Sequence, residues 1–277
     1  PACGPRLHWN GRPSDPQRAL TAAATALRDG QIVALQGIGG FQLLVDPHNA
    51  AAVAELRRRK GRPDKPLALL ASHHWLRRGC RVSSEEEALW WSPAAPIVLL
   101  RRHPDHAEGQ RLAAEVAGAS PWLGVMRPAS GLQQLLLEAT GLEVVVATSA
   151  NRSGEPIATD PEADADVLHQ LADAVLSHGL AIVNRIDDSV LRLAAQAPLI
   201  LRLGRGLAPL TLPHRQGTDQ GVALALGAQL KGALALRLPG RIVLSPDLGD
   251  VGSSSGAQHL LHTTQCWLER HGVHPRA

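Results

Sequence analysis

Apolar residues recur along this chain in short runs divided by polar turns, and the spacing inside each run separates helix from strand. Leu20, Ala23, Ala24 and Leu27 share one helical face, between an Asp15-Pro16 start and an Asp29-Gly30 stop. Gln31–Leu35 predicts a buried strand that runs into a glycine turn at Gly37-Ile-Gly-Gly-Phe41. A second helix is predicted from an Asn49 cap to Lys60, with Gly61 at the C′ position and Pro63 just beyond. Leu67–Leu70, Pro96–Leu100 and Trp122–Met126 read as strands. Ser84-Glu-Glu-Glu87 offers a capping box for a helix ending near Trp91, and a further helix is predicted over Leu132–Thr140.

Glu143–Ala147 is an unbroken, largely β-branched run, as expected for a strand buried on both faces. Asp160-Pro161 predicts a helix reaching Gly179, followed by strands at Ala181–Val183, Ser189–Leu193 and Leu199–Leu203. Strands and helices alternate irregularly, which implies an α/β fold with a mixed sheet covered by helices. A polar stretch rich in Pro and Gly near residues 213–221 reads as a linker. Beyond it, strands at Val222–Leu226, Ala233–Arg237 and Arg241–Leu244 and a helix over Gln258–Arg270 form a second unit.

The 277 residues accommodate one large and one small unit, and an apolar fraction of 44% supports a packed core. No run of apolar residues is long enough to cross a membrane as a helix. The N-terminus has no signal-peptide pattern, and its start at Pro1 without Met is expected of a piece of a longer or processed protein. The net charge of +3 fits an anionic ligand as well as a nucleic acid. Three scattered cysteines, Cys3, Cys80 and Cys266, do not make a disulfide scaffold, so a cytoplasmic setting is expected. With one Phe and no Tyr, the base-stacking surface of a single-strand binder is not favoured.

Three constellations carry candidate chemistry. Lys60, Arg62 and Lys65 lie at and after the Gly61 break, in a loop stiffened by Pro63 and Pro66, and converging cations beside loop amides suit polyphosphate. Arg57, Arg58 and Arg59 read instead as helix-end charge facing solvent. The second constellation, Thr148-Ser149-Ala-Asn151-Arg-Ser-Gly154, follows a buried strand; it suits either an anion site or an Asx/Ser turn. In the third, Asn184-Arg185-Ile-Asp187-Asp188-Ser189-Val-Leu-Arg192 precedes Arg202-Leu-Gly-Arg205-Gly206. Its acidic pair suits a hydrated Mg²⁺ or a turn, and Arg202 suits a phosphate. His259, His262 and Cys266 share a helix face without a fourth ligand, so no metal site is expected there.

Taken in order, the Gly-Ile-Gly-Gly-Phe turn, Lys-Gly-Arg-Pro-x-Lys-Pro, Thr-Ser-Ala-Asn-x-Ser-Gly-x-Pro and Asn-Arg-x-Asp-Asp-Ser-Val resemble the YrdC domain, more closely the version in the HypF family of hydrogenase-maturation carbamoyltransferases. The resemblance spans about residues 15–212. It implies a YrdC-like twisted mixed sheet flanked by helices. It also implies that residues 1–14, with Cys3, are the remnant of a zinc-finger region. Residues 222–277 would then be a partial carbamoyl-transfer domain of actin/sugar-kinase-like fold. Pro128-Ala-Ser-Gly-Leu-Gln-Gln134 departs from the family's Pro-Tyr-Thr-Pro-Leu-His-His.

In that family the YrdC domain joins a carbamate, derived from carbamoyl phosphate, to ATP and releases pyrophosphate. The carbamoyl group then passes to HypE. The resemblance implies ATP and Mg²⁺ as cofactors, no zinc in this chain, and a HypE-like acceptor as partner. Lys60, Arg62, Lys65 and Arg202 would supply positive charge, and Ser149, Asn151 and Ser189 would orient oxygens. Gly39, Gly40, Thr148, Arg185, Asp188, Arg192 and Arg205 would complete the nucleotide site. The competing readings are a threonylcarbamoyl-adenylate synthase serving tRNA modification, an RNA-binding YrdC module, and an inactive remnant.

Overall fold

The computed structural model describes residues 4–103, 105–214 and 221–274. The chain opens with strands β1 (Leu7–Trp9) and β2 (Arg12–Pro13), then helix α1 (Pro16–Arg28). The Asp15 side chain accepts from the Arg18 amide, the cap its sequence predicts. Strands β3 (Val33–Gln36) and β4 (Phe41–Val45) make a hairpin across the glycine turn. Helix α2 (Ala50–Lys60) starts on the Asn49 cap and ends at Gly61, whose φ of 64° is the left-handed conformation a C′ glycine supplies. Then come β5 (Ala68–Ala71), α3 (His73–Gly79), β6 (Cys80–Arg81), α4 (Ser84–Trp91), β7 (Ile97–Arg102), α5 (Ala107–Gln110), α6 (Ala114–Ala117), β8 (Trp122–Met126), α7 (Gly131–Thr140) and β9 (Val144–Ser149). The large unit closes with α8 (Ala165–Leu171), β10 (Ala174–His178), β11 (Val190–Ala194) and β12 (Ala197–Arg202).

Among the described residues these strands form one twelve-stranded mixed sheet, ordered β12-β11-β7-β8-β5-β9-β4-β3-β10-β1-β2, with β6 on the flank of β7. Alternate residues of the central strands enter two different cores. Ala34, Leu43, Val45, Leu69, Val144 and Val146 pack on the side of α2 with Trp75 and Trp90. Val33, Leu35, Leu44, Leu70, Val145 and Ala147 pack on the side of α1 and α7. A strand buried on both faces must be apolar at every position, which explains the unbroken Val144-Val-Val-Ala147 run.

The second unit holds β13 (Leu210–Pro213), β14 (Ala223–Leu226), a 3₁₀ turn at Gln229–Lys231, β15 (Leu234–Leu238), β16 (Arg241–Leu244) and helix α9 (Ser254–His271). Its sheet runs β13-β16-β15-β14, and its core is small: Leu236, Leu238 and Val243 under Trp267 and Leu268.

Several expectations need correction. The segment Asp160–Gly179 is not one helix: α8 is short, and Ala174–His178 is a strand paired in parallel with β3. Leu168, Leu171, Val175 and Leu176 mimic helical spacing, but the last two bury across the sheet. Ala181–Val183 is irregular. Phe41–Val45 is a fully buried strand where only a turn was expected, because buried Gln42 interrupts its apolar run. The capping box is Ser83 with Glu86, one residue earlier than expected. Leu7–Trp9 pairs with β10, so residues below 15 join the large sheet, whereas Cys3 lies outside the described residues. Leu210–Pro213 pairs with β16, so the second sheet begins before residue 213; the rest of the expected linker, 215–220, lies outside the described residues.

Candidate active site

Four strand ends meet on the α7 side of the sheet: the end of β9 and the starts of β5, β7 and β11. The Gly37–Gly40 turn closes over them. Between them lies a cavity of about 310 Å³, floored by Ala68, Ile97, Leu99, Gly124 and Ala147 and rimmed by polar groups. It opens into a second cavity of about 370 Å³ that shares Arg62, Lys65, Ser149, Asp187 and Arg202. The second unit forms the far wall there with Lys231, Asp247, Asp250 and His259. An apolar floor under a few convergent polar groups is the usual character of a small-molecule site.

The first wall is the end of α2 and the loop after it. Lys60 is 2% exposed, and its ammonium donates to Ser149 O (2.5 Å), Asn151 O (2.8 Å) and Asn151 Oδ1 (2.6 Å). Burial, then Arg62, pulls its pKa down to about 7, with Asp187 opposing. All three protons of the ammonium face protein acceptors, so Lys60 fixes the Ser149–Asn151 turn at the lining of the second cavity. Arg57 is not solvated helix-end charge. Its guanidinium donates to the carbonyls of Glu115 (2.6 Å), Arg62 (2.8 Å), Pro63 (2.9 Å) and Lys65 (3.2 Å), drawing the loop into a tight curve. Arg58 does pair in the open with Glu55, and Arg59 bridges Glu55 and Asp173.

Arg62 and Lys65 face the cavity. Arg62 leans on the Lys65 and Pro66 carbonyls and approaches Thr148 Oγ1 at 3.4 Å. Burial, then Arg57 and Arg202, lowers its pKa to about 10 against Asp187. Lys65 is lowered as well, first by burial, then by Arg62 and Arg202, with Asp187 opposing and Lys231 adding to the repulsion. Cations that push one another down in this way are relieved by an anion between them.

At the end of β9, Ser149 Oγ donates to Asn151 Oδ1 (2.7 Å), and the Asn151 amide donates to the Glu155 carbonyl. Side-chain hydrogen bonds thus hold the turn after β9, and the same turn lines the rim of the cavities. A Cβ on Gly39 would overlap the Ile186 carbonyl, and one on Gly40 would meet Ile157, so both glycines permit close packing where they line the cavity.

The opposite wall runs from Arg185 to Arg205. Asp188 accepts from Arg205 Nε at Oδ1 (2.8 Å) and from Gln42 Nε2 at Oδ2 (2.7 Å). Arg205 also donates to the Ala94 and Ala95 carbonyls. Ser189 is fully buried between Gly204 N and Arg205 O. Asp188, Ser189 and Arg205 thus brace this wall. Arg202 and Asp187 face the cavity, their charges 3.9 Å apart, and Arg185 lines the second chamber with a buried Nε that has no hydrogen-bond partner among the described residues. Arg192 lies beyond the rim, stacked 4.1 Å from the Trp122 ring that also carries Arg101. Gln42, Gln133 and Lys231, which the sequence motifs did not single out, all border the cavities. His259 lies close enough to Arg185 to feel its charge, and no group of three candidate metal ligands occurs among the described residues.

A cation-rimmed cavity where strand ends meet in an α/β sheet has the chemistry of an anion-binding site. Residues 25–204 match the family model described as "Telomere recombination", the Sua5/YciO/YrdC family, and the chain belongs to that family. It is 42% identical over 253 residues to carbamoyltransferase HypF of Rhodobacter capsulatus and 36% identical over 278 residues to carbamoyltransferase HypF2 of Cupriavidus necator. These alignments take in 91% and 92% of this chain but 33% of each relative, so the chain spans about a third of their length. Its fold matches a full-length HypF solved in a phosphate- and nucleotide-bound form, with a TM-score of 0.91 and 35% identity over 99% of this chain and 35% of that one. HypF of T. kodakarensis matches with a TM-score of 0.88 and 32% identity over 97% of this chain and 35% of that one. Sua5 of P. abyssi shares the fold, at 23% identity over 69% of this chain and 55% of the other and a TM-score of 0.59. Among the described residues no helix is long and apolar enough to cross a membrane.

Proposed function

We propose that this chain joins a carbamate to ATP, forming carbamoyl-adenylate and releasing pyrophosphate, as the nucleotide-activating part of a carbamoyltransferase. The observation that carries the reading is the set of mutually repelling cations, Arg62, Lys65, Arg202 and Lys231, around one cavity. A carbamate oxygen attacks the α-phosphorus; the bond to the pyrophosphate oxygen breaks, and pyrophosphate leaves with the electron pair. That step needs no protein nucleophile, only positioning and stabilisation of phosphate charge. Arg62, Lys65 and Arg202 meet the phosphates. Thr148 Oγ1, at the end of β9, orients the carbamate or α-phosphate oxygens, while Ser149 Oγ donates to Asn151 and shapes the turn. Asn151 and Lys60 hold that turn in place, and the Gly39–Gly40 turn and Arg185 border the bound nucleotide. Mg²⁺ enters with ATP as part of the substrate and neutralises the departing pyrophosphate. A HypE-like protein in the cytoplasm is the proposed final acceptor of the carbamoyl group, and residues 222–277 are proposed as the opening part of the transfer domain.

Pyrophosphate release tests the reading. The chain is incubated with ATP, Mg²⁺ and carbamoyl phosphate plus an acylphosphatase, and separately with ATP, Mg²⁺, threonine and bicarbonate. Release in the first mixture is expected. Release confined to the second would replace the reading with threonylcarbamoyl-adenylate synthesis, and none in either would leave an inactive binding module.

A further inference from the structure

Two buried glutamines tie the second wall of the cavity to helix α7. We infer that Gln42 and Gln133 are positioning residues that fix Asp188 and, through it, the cavity-facing places of Asp187 and Arg202; the consequence for bound nucleotide rests on the adenylation reading.

The direction of this relay is set at one end. Gln133 is 5% exposed, in the first turn of α7, and its Oε1 accepts from the amides of Ala129 (2.7 Å) and Ser130 (3.2 Å). Turning the amide over would set its NH₂ against two N–H donors. Its Nε2 must therefore donate onward, and it does, to Gln42 Oε1 at 2.7 Å. With Oε1 accepting, Gln42 presents Nε2 to Asp188 Oδ2 at 2.7 Å. The other carboxylate oxygen takes Arg205 Nε at 2.8 Å. Asp188 accepts at both oxygens, as a carboxylate does.

The relay has a second output through the backbone. The Asp188 carbonyl accepts from Arg202 Nε at 2.8 Å, and the Asp187 carbonyl accepts from Arg205 N at 2.7 Å. Once Asp188 is pinned, so are the segment bearing Asp187 and the guanidinium of Arg202. The charged groups around the relay are Asp187, Arg202 and Arg205 on its own wall and Arg62 and Lys65 from the opposite wall. Gln42 sits mid-strand with its backbone in the β3–β4–β9 ladder, so a change to its side chain alters the relay without changing the fold topology.

Gln42→Glu and Gln42→Leu test the inference against the wild-type chain. The Glu variant sets a second carboxyl against Asp188. At about pH 5.5 the pair shares a proton and the link survives; by about pH 8 two carboxylates repel each other. The expected result for Gln42→Glu is a KM for ATP in pyrophosphate release near wild type at the lower pH, rising about tenfold at the higher pH, with kcat changing less. Gln42→Leu should raise KM about as much at every pH. Calorimetric ATP binding and thermal melting are followed over the same range. A KM and a melting temperature for Gln42→Glu that track wild type across the range, or a loss equal at every pH, would overturn the relay. If the wild-type chain neither binds ATP nor releases pyrophosphate, the adenylation reading fails, and the relay is judged by melting alone. A melting deficit of Gln42→Glu that widens with pH then supports it, and a constant deficit overturns it.

Discussion

The two walls of the cavity look alike in sequence and work differently. The α2 wall, residues 57–66, and the opposite wall, residues 185–205, each mix Arg or Lys with Gly and Asp. In each, some cations hold backbone and others face the cavity. Arg57 and Lys60 hold the first wall, and Arg205 holds the second. The holders of the first wall rest on neutral carbonyls and an amide, so that wall stays strongly positive. On the second, Asp188 and Asp187 offset Arg205 and Arg202 and leave Arg185 as the uncompensated cavity-lining cation, so it is less positive than the first. On the proposed reading, Arg62 and Lys65 carry most of the charge that meets phosphate, and Arg202 completes it from the other side.

The largest effect should come from Lys60→Met. It strips the Asn151 carbonyl of its donor and leaves the Ser149 carbonyl with only the Asn151 N–H, and we expect a loss of about 2 kcal/mol in chemical denaturation together with loss of ATP binding. Normal ATP binding in that variant would remove Lys60 as the anchor of the turn. Next, Lys65→Ala should weaken ATP binding, measured by calorimetry, about tenfold or more, while Arg58→Ala stays within about twofold. Equal losses would mean that charge anywhere near α2 suffices, and the distinction between facing and holding cations would fall.

Arg57→Ala should be intermediate. It releases three carbonyls of the loop that carries Arg62 and Lys65, and we expect about 1–2 kcal/mol of destabilisation and a several-fold weaker grip on ATP. An unchanged melting curve would return Arg57 to the status of helix-end charge.

The smallest effect concerns the second unit. Burial, then Arg185 and His262, lowers the His259 pKa to about 4, against about 6.5 in an unfolded chain. A folded-state pKa below the unfolded one gives stability that is present above about pH 6.5 and lost as the pH falls toward 4. Melting temperature should therefore fall less steeply over that window in His259→Gln than in wild type. Parallel curves would show that His259 does not sense Arg185 across the junction.

Much of the site was legible because it lies in motifs. Lys60-Gly-Arg62, Thr148–Asn151 and Asp187–Ser189 all border one cavity or brace it, as their order in the chain suggested. Their separate duties were not legible. Arg57 and Arg58 are adjacent and chemically identical, yet one curves the loop and the other pairs in solvent. Arg192 and Arg202 both sit on paired strands, but Arg192 turns to Trp122 beyond the rim. Gln42 carried no signal and Gln133 only that of a departure from the family's motif, since a glutamine in an apolar strand or a helix start gains meaning only from what faces it.

The sequence by itself determined the helix boundaries at Asp15, Asn49 and Gly61 and the doubly buried β9, because caps and apolar runs are local properties of the chain. It also determined the family, through four motifs in order. Only the tertiary structure decided that Ala174–His178 is a strand, that Leu210–Pro213 belongs to the second sheet, and which cations face the cavity. Each of those depends on partners far along the chain: a strand needs a neighbour to pair with, and a guanidinium turns toward whichever carbonyls or open space the folded walls bring within its reach.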